Sequence, residues 1–260
     1  MNAVAATLSR WGRILATGWS FLFFMIWGFS LGIALYPVLR IRFGRTRRAR
    51  EAFMGHMRWT WKLFVRMMES IRAFDRIEIK GLDRFAQDRA CLLVANHVTL
   101  VDIVAFGTAV RNFNCVVRTG LWNHRWFGLV VRACDFVPNV GSEAFIDRCR
   151  EGFAQNRPLI IFPQGERTPP HLPLSFARGA AQIAARTGVP IVPVLITCDP
   201  PALMKGQPWY AVPSRAPRLV LDFQEPLTIP EAIAAEPSMP LKVRALNAFL
   251  EEYFRSQLRA

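Results

Sequence analysis

A chain of 260 residues that is 52% hydrophobic, with 8 Trp and 20 Phe, is long enough to bury a real core as one domain with at most an appendage. A net charge of +14 on so apolar a chain points to an anionic membrane surface or a nucleic acid as partner. The five cysteines (Cys91, Cys115, Cys134, Cys149, Cys198) are odd in number and form no CxxC pair, which excludes a disulfide or zinc framework and suits reduced core thiols in a cytosolic setting.

From Ile14 to Leu39 no charged residue occurs. As one helix this run would reach roughly 39 Å, against a hydrocarbon core of about 30 Å, and it is too long for a signal-peptide core. Pro37 and the glycines of the run would divide it into a re-entrant hairpin or two half-helices, so the expectation is membrane embedding as either a helix or a hairpin. Between Arg40 and Arg76 stand eleven Lys or Arg against three acids, which places the remainder of the chain on the cytoplasmic side of an inner membrane. Arg10 and Arg13 ahead of the run leave open a hairpin with both ends inside.

Within the basic region, Phe53, Met57, Trp61, Phe64, Met68 and Ile71 recur every three or four residues, with Arg58, Lys62 and Arg66 mostly between them. This is a basic amphipathic helix suited to the headgroup layer, or else an ordinary core-packing helix. Nucleic acid is set aside as a partner, because no recognition motif appears and the charge adjoins the apolar run. Residues 1–74 thus read as an anchoring segment and 75–260 as a separate α/β domain.

After Gly81 short β-type runs alternate with helical ones. Strands are expected at 76–80, 91–96, 114–118, 158–163, 191–196 and 218–223, and helices near 100–110, 123–134, 142–156, 176–187 and 240–257. Continuous apolar strands separated by helices give an α/β fold with a mixed, largely parallel sheet flanked by helices. The proline-rich stretch 197–217, with Trp209 and Tyr210, is a long loop of the kind that is often functional or membrane-facing.

The strand at 91–96 runs into "NHVTLVD" (96–102). His97 and Asp102 would lie about 140° apart on a regular helix, so they meet only if His97 is in a loop and Asp102 in the first turn of a helix capped near Thr99. A carboxylate on one imidazole nitrogen leaves the other free as a base. On spacing alone the pair is equally a structural histidine beside an acid that favours the helix dipole. There is no GxSxG and no cysteine in a recognisable catalytic setting.

"NHVTLVD" resembles the NHxxxxD signature of the glycerolipid acyltransferases, the lysophosphatidate (1-acyl-sn-glycerol-3-phosphate) acyltransferase family. "IIFPQGERT" (160–168) is similar to that family's FPEGTR block, "GVPIVPVLI" (188–196) to its apolar block, and "ARGAAQIA" (177–184) to the stretch between them. The resemblance implies a glycerol-3-phosphate acyltransferase-like fold and transfer of a fatty acyl group from acyl-CoA or acyl-carrier protein to the free hydroxyl of a membrane lysolipid. It implies neither a metal nor a cofactor. His97 is then the general base and Asp102 its orienting partner. Asn96, Arg118, Phe162, Pro163, Gln164, Gly165, Glu166, Arg167 and Arg178 are the expected substrate-binding residues, with Arg167 foremost for phosphate.

Several positions depart from the family. Gln164 stands for its Glu and Glu166 for its Thr, so that Glu166 either supplies the missing carboxylate or partly neutralises Arg167. Asn139 stands where a phosphate-binding Arg is usual, while Arg148, in "AFIDR", matches only by letters. These departures leave open a different acceptor (an ornithine lipid, a glycolipid or a specialised polyene-type lipid), a non-catalytic lipid-binding relative, and a thioester hydrolase. His56 reads as interfacial and His124 and His171 as loop residues, none with metal-site spacing.

Overall fold

A computed structural model describes residues 3–30, 34–44, 46–87, 89–141, 143–168 and 172–259. The expectation for His171 lies outside the described residues. Three helices come first: α1 (Ala3–Ser30), α2 (Tyr36–Phe43) and α3 (Arg47–Ser70). The chain then alternates through β1 (Arg76–Lys80), β2 (Leu92–Ala95), α4 (Asp102–Ala109), β3 (Asn114–Val117), α5 (Thr119–Trp122), α6 (Phe127–Ala133), β4 (Val137–Pro138), α7 (Glu143–Ala154) and β5 (Leu159–Ile161). It closes with α8 (Gly179–Thr187), β6 (Ile191–Asp199), β7 (Arg218–Phe223), α9 (Glu231–Ala234) and α10 (Met239–Arg259).

The strands make one sheet in the order β1-β7-β6-β2-β5-β3-β4. Every pairing is parallel except β6 with β7, so the sheet is mixed and largely parallel as expected. The two-residue β4 is too short for any periodicity to announce it. The central strand β2 shows why its run is apolar throughout. Leu93 and Ala95 belong to the cluster containing α3 and α4, whereas Leu92 and Val94 belong to the cluster containing α7, α8 and α10. Helices cover both faces, so alternation of polar and apolar residues has no place there.

The N-terminal expectation requires correction. Among the described residues no helix is long and apolar enough to cross a membrane. The uncharged run is divided between α1, which also carries Arg10 and Arg13, and α2. One side of α1 is spent on the domain: Phe23 and Phe24 pack on Phe64 of α3, and Ala16 joins the core. The amphipathic helix α3 packs on the domain: of its periodic stripe, Phe53, Met57, Phe64 and Met68 are buried within the fold and Trp61 and Ile71 half-buried against it. A stripe of that width is satisfied by α4 and the sheet, leaving the charged side to solvent.

Packing of α3 on α4 is close because α4 offers a glycine. A methyl group at Gly107 would lie 2.0 Å from ring atoms of Trp61. Gly107→Ala is therefore expected to push the two helices apart and destabilise the fold by about 1–3 kcal/mol. A lowered urea midpoint for the variant checks this; an unchanged midpoint contradicts it.

Candidate active site

The site begins where β2 ends. Asn96, expected to touch substrate, is buried and used by the fold instead. Its Nδ2 donates to Ile196 O and its Oδ1 accepts from Ile196 N, both at 2.8 Å, which extends the β2–β6 pairing through a side chain. The next residue, His97, is in the connecting loop, and Asp102 opens α4. Asp102 is fully buried. Its Oδ2 lies 2.8 Å from His97 Nδ1 and accepts from Val98 N at 2.8 Å and Thr99 N at 3.0 Å. Thr99 is not the cap of this helix: α4 starts three residues later, and Asp102 itself takes up the loop's N–H groups. With Nδ1–H directed at a buried carboxylate, Nε2 carries the lone pair.

The opposite wall is the turn after β5. Gly165 N donates to Phe162 O at 2.9 Å, and Gly165 has φ +73°, the left-handed region where glycine avoids strain. Gln164 Oε1 accepts from His97 N at 2.5 Å, and Thr168 N donates to His97 O at 2.9 Å, so the backbone of His97 is held from both sides. The acceptor role needs an oxygen but no charge, which Gln supplies as well as Glu. Phe162 stacks on the His97 ring with centroids 4.4 Å apart. Pro163 O accepts from Ala177 N at 2.8 Å and fixes the turn to the segment leading into α8.

His97 and this turn line a cleft of about 570 Å³ together with Arg118, Asn139, Glu166, Arg167, Arg178 and Lys205. Glu166 neither replaces Gln164 nor pairs with Arg167. Its Oε2 accepts from Arg118 Nη2 at 3.0 Å and its Oε1 from Lys205 Nζ, and these two cations hold its carboxyl below the usual range. Arg118 Nε also donates to Gly165 O at 2.7 Å. Arg167 is tied to Leu203 O at 2.7 Å, and burial lowers its pKa while the Asp102 charge acts the other way. The Arg178 side chain makes no hydrogen bond or ion pair with the described residues and stands just ahead of α8.

Arg148 lies on α7, paired with Asp135 and over the Trp122 ring, away from the cleft, as its helical position implied. Asn139 is the residue that faces the cleft. Lys205 was not anticipated. The expected 197–217 loop begins only after β6 ends at Asp199; its length is a signal that this segment matters, but no spacing says which of its residues folds back onto Glu166. A second, apolar groove runs between α1, α3 and the 202–217 segment, lined by Phe24, Phe64, Phe74 and Trp209 and reaching Leu100 and Val104 beside the His97–Asp102 turn. His97 thus stands between a cationic cleft and an apolar groove, an arrangement suited to a molecule with one charged end and one fatty end.

The model of the Acyltransferase family matches residues 76–197. A 1-acyl-sn-glycerol-3-phosphate acyltransferase of Brassica napus chloroplasts, BAT2, is 29% identical over 133 residues, 49% of this chain and 39% of that protein. The human 1-acyl-sn-glycerol-3-phosphate acyltransferase alpha is 27% identical over 135 residues, 47% of this chain and 46% of that one. The chain thus spans about two-fifths to half the length of these curated relatives. The crystal structure of the 1-acyl-sn-glycerophosphate (LPA) acyltransferase PlsC from Thermotoga maritima superposes with a TM-score of 0.66, covering 94% of this chain and 96% of that one at 21% identity, a likeness of fold. These matches fall on the segment that carries both walls of the cleft, so residues 76–197 are similar to the Acyltransferase family and to proteins named 1-acyl-sn-glycerol-3-phosphate acyltransferases.

Proposed function

We propose that the protein transfers a fatty acyl group from acyl-CoA or acyl-carrier protein to the free hydroxyl of a lysophospholipid, with 1-acyl-glycerol-3-phosphate as the default acceptor and phosphatidic acid as product. The observation that carries this reading is the 2.8 Å contact between His97 Nδ1 and the buried Asp102 carboxylate, in a cleft with Arg118, Arg167, Arg178 and Lys205. His97 Nε2 takes the acceptor's hydroxyl proton as its oxygen attacks the thioester carbonyl. The imidazolium, stabilised by Asp102, returns that proton to the departing thiolate. The cations receive the phosphate and the apolar groove receives a fatty chain.

Direct transfer, without an acyl-enzyme, is supported by the cysteines. All five are buried, and burial pushes the thiol of Cys115, which lines the cleft, up to about 12. A thiol so protonated is a poor nucleophile at neutral pH. Asp102→Asn keeps the shape but loses the charge that orients and stabilises the imidazolium, and is expected to lower kcat by about 10²–10⁴-fold. His97→Ala is expected to abolish transfer. A mass-spectrometric screen of lysolipid acceptors, run with both donors, checks the reaction; wild-type protein that acylates no lysolipid overturns it.

We further place the protein on the cytoplasmic face of an inner membrane, resting on the surface through α1. Trp11, Leu15, Trp19, Leu22 and Ile26 recur every three or four residues along α1 and are all at least half exposed. An apolar, Trp-bearing face on a basic chain suits the interface of an anionic leaflet. Replacing Leu15, Trp19 and Leu22 together by Ser is expected to release the protein from anionic vesicles in a sedimentation assay while His97→Ala still sediments. Equal sedimentation of the triple variant and wild type contradicts the assignment.

A further inference from the structure

A cleft that receives an anion has no evident need of a carboxylate among its cations, yet Glu166 is there. Both of its oxygens are engaged, Oε2 with Arg118 and Oε1 with Lys205. Arg118 is aimed at it by the bond from Nε to Gly165 O. The three side chains come from three different parts of the chain and are all between 44% and 62% exposed. Ion pairs as open as these compete with water and salt and are individually weak. An incoming anion can therefore take the place of the carboxylate, and the comparison that matters is charge against charge.

We propose that Glu166 is an internal counter-anion that occupies the Arg118–Lys205 cation pair until the acceptor's phosphate displaces it, so that the site binds a phosphate more weakly, and releases it more readily, than the bare cations would. This rests on the reading of the acceptor as a lysophospholipid. A monoester carries about −1.5 to −2 at pH 7 and offers three terminal oxygens to the two cations. A diester carries one charge on two such oxygens. Displacing the carboxylate costs either phosphate the same, so the monoester's larger charge sets its advantage on the cations, and Glu166 lowers both affinities by a similar factor. Arg178, without a partner among the described residues, remains available to the incoming anion throughout. The cations that hold Glu166 also keep it ionised across the neutral range, so the competitor is always present.

Glu166→Gln removes the charge and keeps the size. The measurements are KM for lysophosphatidate, a monoester, and for lysophosphatidylglycerol, a diester, in wild type and variant. Direct binding of glycerol 3-phosphate and of glycerophosphoglycerol, followed by phosphorus NMR, accompanies them. The variant is expected to bind both phosphates about twofold to fivefold better, with the ratio between them unchanged or shifted toward the monoester. Failure of either phosphate to bind better overturns the proposal. So does a loss of affinity for lysophosphatidylethanolamine in the variant, since Glu166 would then be reading an ammonium group. If wild-type protein acylates neither acceptor, the acceptor reading fails on that result, while the two small phosphates still decide whether Glu166 guards the cations.

Discussion

Asp102 is a carboxylate with no exposure to solvent, and the site is assembled around making that tolerable. An ionised acid in the interior costs several kcal/mol unless donors surround it. Here one oxygen collects the N–H groups of Val98 and Thr99 and the imidazole of His97. The same three bonds that offset the burial also bend the chain back from β2 toward α4 and fix the imidazole with its second nitrogen outward. Imidazole geometry and loop geometry are therefore one problem with one solution. Asn96, one residue earlier, ties the end of β2 to β6, and Gln164 and Thr168 grip the His97 backbone from the turn after β5.

Around this centre the protein divides its surroundings by polarity. Cations from the end of β3, the 164–167 turn, the start of α8 and the 197–217 loop line one side, and Phe and Trp side chains of α1, α3 and the same loop line the other. The helices that looked like a membrane insertion signal are what close the apolar side. α1 and α3 spend part of their hydrophobic surface on each other and on the sheet, which a hydropathy argument cannot detect, since Phe against Phe and Phe against lipid demand the same residue. What is left over on α1 is an exposed stripe of Trp11, Leu15, Trp19, Leu22 and Ile26, and among the described residues no helix is long and apolar enough to cross a membrane.

Much of this is legible in the amino-acid sequence. The six expected strands are present within a few residues, since continuous Val, Leu and Ile runs bounded by turns have few other ways to bury themselves. The loop position of His97 and the first-turn position of Asp102 come from helical geometry and the strand boundary. Ambiguity arises where a short signal has two uses. Asn96 reads as a site residue from its place in the motif, while its amide clamps the backbone of Ile196 at the strand end. Thr99 reads as a cap, yet α4 starts only at Asp102, and the Thr99 hydroxyl accepts from Val101 N at 3.4 Å ahead of the helix.

The amino-acid sequence by itself determined the layered α/β fold and the His–Asp pair, because both depend on local periodicity and on contacts among residues within one strand–loop–helix unit. Tertiary structure alone decided what Glu166 does. Its partners, Arg118 and Lys205, lie 48 and 39 residues away. A carboxylate beside an arginine in sequence suggests an ion pair with that arginine, yet in the turn Arg167 points to Leu203 O while Glu166 points across the cleft. Adjacent residues in a tight turn project in different directions, and which cation meets which acid is settled by how the strands bring their loops together.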